Sequence, residues 1–281
     1  MVIAVASGKG GTGKTTIATN LAFVAAAGSQ PVQLVDCDVD EPNCHIFLNP
    51  TITKTHKEEI LRPQVDRAAC TVCGECERTC RFHAIVCVKE QVLLFEHLCH
   101  GCGACAIVCP EKAIEEVPQP LGVVEVGRAG AIHFAQGRLE VREARSAMLV
   151  SAVRRYQMPE ALVILDAPPG TACPVVAAMN GVDRALLVTE PTPFGLNDLK
   201  MAVAMLRQMS VPFAVVINQC DVGDARTIDY CESEGIEILA QIPSRRDIAE
   251  AYAEGRLIVE CVPQMRQVFE DLLAALQEVP A

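Results

Sequence analysis

The sequence predicts an α/β protein: a doubly wound, mostly parallel sheet into which a small α+β domain is inserted. Three observations predict it. Continuous apolar runs alternate with helical stretches at both ends of the chain. The first run leads straight into a glycine-rich loop, Gly8-Lys9-Gly10-Gly11-Thr12-Gly13-Lys14-Thr15. In the middle, eight of the 15 cysteines form two copies of the spacing C-x2-C-x2-C-x3-C.

Each element follows in order. Val2–Ala6 reads as a short buried strand and Lys14–Ala27 as a helix stopped by Gly28. Val32–Val35 is a second strand that delivers Asp36 and Asp38 at its C-terminal end. Further strands are predicted at Ala161–Leu165, Arg184–Val188, Pro212–Ile217 and Ile236–Ile242. Helices are predicted over Leu196–Met209, Arg245–Glu254 and Met265–Glu278. The last carries Arg266, Glu270, Asp271 and Glu278, so it is net acidic and reads as a docked helix rather than a basic membrane anchor.

The cysteine segment breaks this rhythm. Pro50 and Pro63 precede it, and Pro118 and Pro120 follow it. It contains an internal repeat of 29 residues: Cys70, Gly74, Cys80, Ala84 and Ile85 map onto Cys99, Gly103, Cys109, Ala113 and Ile114. Neither half is large enough to bury a core alone. The domain bounds that follow are 61–120 for the insertion, with 1–60 and 121–281 as one discontinuous domain. Residues Gly122–Val141 read as a β-rich return and Glu143–Tyr156 as a helix.

A net charge of −11 disfavours non-specific nucleic-acid binding. No apolar run reaches the roughly 18 residues a transmembrane helix needs. No signal peptide is visible, and the cysteines are odd in number and concentrated in metal spacing. A reducing cytoplasm is therefore expected rather than a disulfide scaffold.

The glycine-rich loop lies between a strand and a helix, where backbone N–H groups and the helix N-terminus favour phosphate. Gly10, Gly11, Thr12, Gly13, Lys14, Thr15 and Thr16 are the expected nucleotide contacts. Lys14 should reach the β and γ phosphates, and Thr15 should hold Mg²⁺. Two pieces of chemistry compete at the cysteines. All-cysteine zinc sites use two C-x2-C pairs per ion, whereas two triplets and two singles stand here, which is [4Fe–4S] spacing.

The run Lys9-Gly10-Gly11-Thr12-Gly13-Lys14-Thr15 resembles the deviant phosphate loop of the MinD/ParA/nitrogenase iron protein superfamily. Asp36-Cys37-Asp38 resembles its switch I, and Asp166-Ala167-Pro168-Pro169-Gly170 its Walker B aspartate and switch II. The resemblance implies a MinD-like P-loop NTPase that binds and hydrolyses ATP and forms a homodimer around it. Lys9 would cross to the partner's nucleotide, and Asp38 would orient the attacking water. Asp36 and Asp166 would serve Mg²⁺, and Gly170 would sense the γ-phosphate. Asn218 and Pro243 match the adenine-binding positions. Asn218-Gln219-Cys220-Asp221 also approaches the guanine-reading pattern, but lacks its lysine.

The inserted segment resembles a two-cluster ferredoxin, in which the fourth cysteine of each run ligates the other cluster. Carried over, the first [4Fe–4S] cluster takes Cys70, Cys73, Cys76 and Cys109, and the second takes Cys99, Cys102, Cys105 and Cys80. Arg81 stands where proline usually follows the fourth cysteine. His100 is expected to be a bystander. Cys37 and Cys173 adjoin the switch segments and read mainly as small apolar residues.

The resulting expectation is a cytoplasmic, ATP-driven dimeric switch that gates electron transfer to a redox or regulatory protein partner. An iron–sulfur carrier or assembly ATPase is the first alternative, although no C-x-x-C pair follows Cys109. A MinD-like spatial organiser with structural or sensory clusters is the second.

Overall fold

The computed structural model describes residues 1–278. Its strands are β1 (Val2–Ala6), β2 (Val32–Asp36), β3 (Thr51–Val65), β4 (Ile85–Val88), β5 (Gln91–Leu94), β6 (Ile114–Ala129), β7 (Ile132–Leu139), β8 (Leu162–Asp166), β9 (Arg184–Thr189), β10 (Phe213–Asn218) and β11 (Ile238–Ile242). Nine of them form one sheet in the order β11-β10-β9-β1-β8-β2-β7-β6-β3. Every neighbouring pair from β11 to β7 is parallel. Apolar runs such as those of β1 and β8 are buried along almost their whole length, as a sheet covered on both faces requires.

The chain divides into two compact units. The larger comprises residues 1–55, 124–138 and 147–281. On one side of its sheet, the helices Lys14–Ala25 and Pro263–Gln277 share a core with Leu34, Phe134 and Ile164. The second helix buries Met265, Phe269, Leu272 and Leu276, a spacing that puts one apolar stripe inward. Among the described residues no helix is long and apolar enough to cross a membrane.

The smaller unit comprises residues 56–123 and 139–146, and is itself discontinuous. Its core is Cys76, Ile85 and Ile114, with Val65, Val92 and Leu94 packed around them. Strands β4 and β5 form its antiparallel hairpin. The 29-residue repeat is present in the backbone. Gly74 and Gly103 cap the short helices Glu75–Thr79 and Ala104–Val108 in left-handed conformations. His83 and Lys112 both have positive φ, as do Val72 and Gly101.

Besides β3, which the sequence did not reveal, the structure departs from the sequence reading at the prolines and at one helix start. The prolines that flank the cysteine segment do not interrupt regular structure: Pro63 lies inside β3, and Pro118 and Pro120 lie inside β6. Strand β3 closes the sheet order, so its missing proline donor is tolerated at an edge. The helix expected from Glu143 begins at Ser146. The Glu143 carboxylate instead accepts the N–H groups of Ala144 and Arg145, a local bond that competes with helix formation.

Candidate functional sites: a phosphate loop and two cysteine cavities

In the larger unit, the parallel register places the C-terminal ends of β1, β2 and β8 side by side. Asp36 and Asp166 are register partners on adjacent strands. Sites at the carboxyl ends of such strands follow from the doubly wound topology. The phosphate loop leaves β1 and enters the helix Lys14–Ala25 through Gly13, whose φ is 93°. A side chain there would also collide with Asn218, since an added Cβ would meet its Nδ2 at 2.5 Å. Asn218 Nδ2 donates to the Thr12 carbonyl at 2.9 Å, so this strand-end residue braces the loop.

An open cleft of about 1140 Å³ lies against the loop. Gly10, Gly11, Gly13, Lys14 and Thr15 line it, together with Asp38, Asn218 and Pro243. Thr12, Thr16 and Lys9 do not. Thr12 is buried and its hydroxyl has no partner. The Thr16 carbonyl accepts from Asn20 within the helix. Lys9 forms an ion pair with Glu190 at 2.9 Å. Asp221 is also turned away: its carboxylate holds the Ser244 N–H at 2.6 Å, and it does not line the cleft. Ile248, Ala249 and Tyr252 complete the wall beside Pro243. The sequence reading did not single these out, because a lone tyrosine or isoleucine in a helix carries no signal of its own.

Beneath the loop lies a buried acidic pair. The Thr15 hydroxyl donates to Asp166 Oδ2 at 2.6 Å. Asp36 accepts the N–H groups of Asp38, Asn43 and Cys44, each at 3.0 Å, and so folds the segment after β2 around itself. Cys44, overlooked in the sequence, donates its thiol to Asp166 at 3.3 Å. Burial, together with the charge of Asp166, pushes Asp36 up to about 8. Burial likewise raises Asp166, against the opposing pull of Lys14. Asp38 is pushed up to about 6, mainly by burial and then by Asp166. The second oxygen of Asp166 is buried without a partner. Two facing carboxylates, an orphan oxygen and a threonine hydroxyl suit a divalent cation such as Mg²⁺. Cys37 is fully buried, and burial pushes its thiol far up. Cys173 is exposed.

In the smaller unit the eight spaced cysteines line two separate cavities. One is bordered by Cys70, Cys73, Cys76 and Cys109. The other is bordered by Cys80, Cys99, Cys102 and Cys105. Each therefore combines three cysteines of one run with the fourth of the other. The Ala84 N–H donates to Cys80 Sγ at 3.3 Å, and the Ala113 N–H donates to Cys109 Sγ at 3.3 Å, one repeat apart. Four converging thiols with backbone N–H donors fit an iron–sulfur cubane. His100 borders the second cavity, and its ring stacks on Phe82 with centroids 3.8 Å apart. Arg81 is exposed.

Comparison with known proteins bears on the family and the fold. The CbiA family, described as the CobQ/CobB/MinD/ParA nucleotide-binding domain, matches residues 3–258. An uncharacterized protein of Methanocaldococcus jannaschii is 31% identical over 283 residues, covering 99% of this chain and 97% of that protein. The iron–sulfur cluster carrier protein of Pyrococcus abyssi is 26% identical over 275 residues, covering 92% of this chain and 78% of the relative. Among solved structures, the cell division ATPase MinD of Pyrococcus furiosus superposes with a TM-score of 0.60 at 19% identity, covering 99% of both chains. The fold is therefore MinD-like, and the chain belongs to the CobQ/CobB/MinD/ParA family of P-loop ATPases.

Proposed function

We propose that this ATPase carries two [4Fe–4S] clusters and uses ATP to switch a homodimer that exchanges electrons with a protein partner. The observation that carries the cluster assignment is the crosswise division of eight cysteines between two cavities. When bound, each cluster supplies a one-electron store. The chain's own residues do the rest. The phosphate loop and Lys14 bind the nucleotide, and Thr15, Asp36 and Asp166 serve Mg²⁺. Asp38 orients the attacking water, and Lys9 reaches the partner's phosphates once it leaves Glu190. Asn218 and Pro243 flank the base. Interlocked ligation ties the two cysteine runs together, so the smaller unit should depend on iron for its stability.

Iron and sulfide analysis of anaerobically purified protein tests this, with about eight of each expected per chain. Cys80→Ser should remove the EPR signal of the cluster held with Cys99, Cys102 and Cys105, and spare the other. A zinc protein without cubane signals after reduction ends the proposal.

A second reading is transfer of clusters rather than electrons. It is favoured by relatives named iron–sulfur cluster carrier proteins, such as that of P. abyssi. Incubation of the loaded protein with an apo-ferredoxin separates the two. Stoichiometric cluster loss to the acceptor supports carriage, and retention with reversible reduction supports electron transfer.

A further inference from the structure

A ring of charge centred on the buried Arg145–Glu143 pair, and closed by the more exposed Glu96, borders one cysteine run and not the other. Arg145 is only 7% exposed. Its Nη1 donates to the Glu96 carbonyl at 3.1 Å and to the carbonyl of Cys99. Its Nε and Nη2 donate to the two oxygens of Glu143. Glu143 also accepts from Arg62 at 2.6 Å, and Arg62 reaches the Glu96 carboxylate at 2.9 Å. The ring thus joins the C-terminal part of β3, the turn before Cys99 and the segment 139–146, and its residues all belong to the smaller unit.

The internal repeat offers a control. Cys70 occupies the position of Cys99 one repeat earlier. Its N–H donates to the Asp66 carbonyl. Among the described residues no side chain donates to the Cys70 carbonyl; the guanidinium contact of the first run is that of the exposed Arg78, whose Nη2 donates to the Cys73 carbonyl at 3.4 Å and which pairs with Glu75. The two cysteine sets are therefore alike in spacing and unlike in surroundings.

We propose that Arg145 is a positioning residue for the second cluster and raises the reduction potential of that cluster alone. The inference rests on the two-cluster reading. Reduction adds one negative charge, so a guanidinium bonded to the peptide of a ligand favours the reduced form. Burial keeps that effect from being screened by water and salt. Glu143 offsets part of the charge from the far side of the guanidinium. Removing Glu143 should therefore act in the opposite sense to removing Arg145.

The test is an EPR-monitored redox titration of the anaerobically purified holoprotein. Arg145→Gln should lower one midpoint potential and leave the other in place. A tenfold fall in the reduced fraction corresponds to about 59 mV for one electron. The moved signal should be the one that Cys102→Ser also alters. Glu143→Gln should raise the same midpoint, and Arg145→Lys should restore part of the loss. A ring that only holds the loop together would shift both variants the same way, and that result overturns the proposal. So do midpoints that stay fixed or move together. If Arg145→Gln loses iron, Glu143→Gln and Arg145→Lys decide by the same signs. A wild-type protein without clusters overturns the functional reading itself, and the inference with it. Two intact clusters with unmoved potentials overturn the inference alone.

Discussion

Lys9 and Glu190 lie 181 residues apart in sequence and 2.9 Å apart in space. The lysine that resembles the intermolecular lysine of this superfamily is therefore held by a carboxylate of its own chain. Glu190 follows β9 at the edge of the site, and both side chains are partly exposed. The ammonium exchanges one anionic partner for another when it reaches a phosphate.

Releasing Lys9 should promote the dimer. Such partly exposed pairs are worth roughly 0.2–1 kcal/mol. Each dimer releases two such pairs, so Glu190→Gln in an Asp38→Ala background should lower the concentration for half-dimerisation with ATP by about two- to thirtyfold. Lys9→Ala should abolish the ATP-dependent dimer. Light scattering across a dilution series reads both. Dimerisation indifferent to either substitution removes the trans role of Lys9.

The buried acidic pair predicts proton release. Burial and the charge of Asp166 push Asp36 up from 3.8 to about 8, so in the nucleotide-free protein the Asp36–Asp166 pair favours holding a proton. A cation bound beside it favours the charged form, and binding of Mg²⁺–ATP should expel up to about one proton. The folded state binds this proton more tightly than the unfolded state. Nucleotide-free stability should thus fall as pH rises through the window from 3.8 to about 8. Calorimetry in buffers of different ionisation enthalpy checks the release, and thermal unfolding checks the slope. Asp36→Asn should reduce the proton release and flatten the slope, leaving the smaller share contributed by Asp38 and Asp166.

What could be read from the sequence was what is local and periodic. β1 falls at Val2–Ala6 because an unbroken apolar run of that length can only be a buried strand beside a phosphate loop. The repeat was legible because its spacing recurs along the chain. β3 was not, since Thr51–Val65 is mostly polar, exposed along much of its length and interrupted by Pro63. An edge strand shows no clean alternation when neither face is fully buried. Cys44 gave no sign of its bond to Asp166, because a solitary cysteine reads as a small apolar residue. Arg145 meets Cys99 across 46 residues, a pairing made by the tertiary fold.

The repeat also predicts an asymmetric tolerance of substitution. Val72 has φ of 53°, where its counterpart is Gly101 with φ of 61°. A non-glycine residue in this region costs about 1–3 kcal/mol. Val72→Gly should recover part of that, less about 0.4–1 kcal/mol for the more flexible unfolded chain. Gly101→Val should be far worse. Its Cβ would sit 2.7 Å from both the Leu61 carbonyl oxygen and Ile60 Cγ1, in addition to the strained φ. We expect a gain of up to about 1 kcal/mol for the first and a loss of about 3 kcal/mol or more for the second. Denaturant midpoints followed by cluster absorbance measure both. Equal losses would contradict the strain assigned to Val72.

If the smaller unit holds the proposed clusters, nucleotide state and cluster potential should be coupled. The chain crosses between the two units after Thr55, Val123, Arg138 and Ser146. All four crossings lie between Asp36 and Asp166 in sequence, the two segments expected to respond to the γ-phosphate. A switch that moves on phosphate loss acts on a chain from which the smaller unit cannot be separated. By linkage, if ATP changes a cluster's potential, reduction of that cluster changes ATP affinity by the same free energy. A shift of about 59 mV in a one-electron couple corresponds to a tenfold change in affinity. ATP affinity should therefore differ between dithionite-reduced and oxidised protein, measured by anaerobic equilibrium dialysis with Asp38→Ala to prevent turnover. Equal affinities, together with equal potentials in the ATP and ADP states, would mean that the nucleotide does not gate the clusters. Cluster carriage would then be the stronger account of why the two chemistries share one chain.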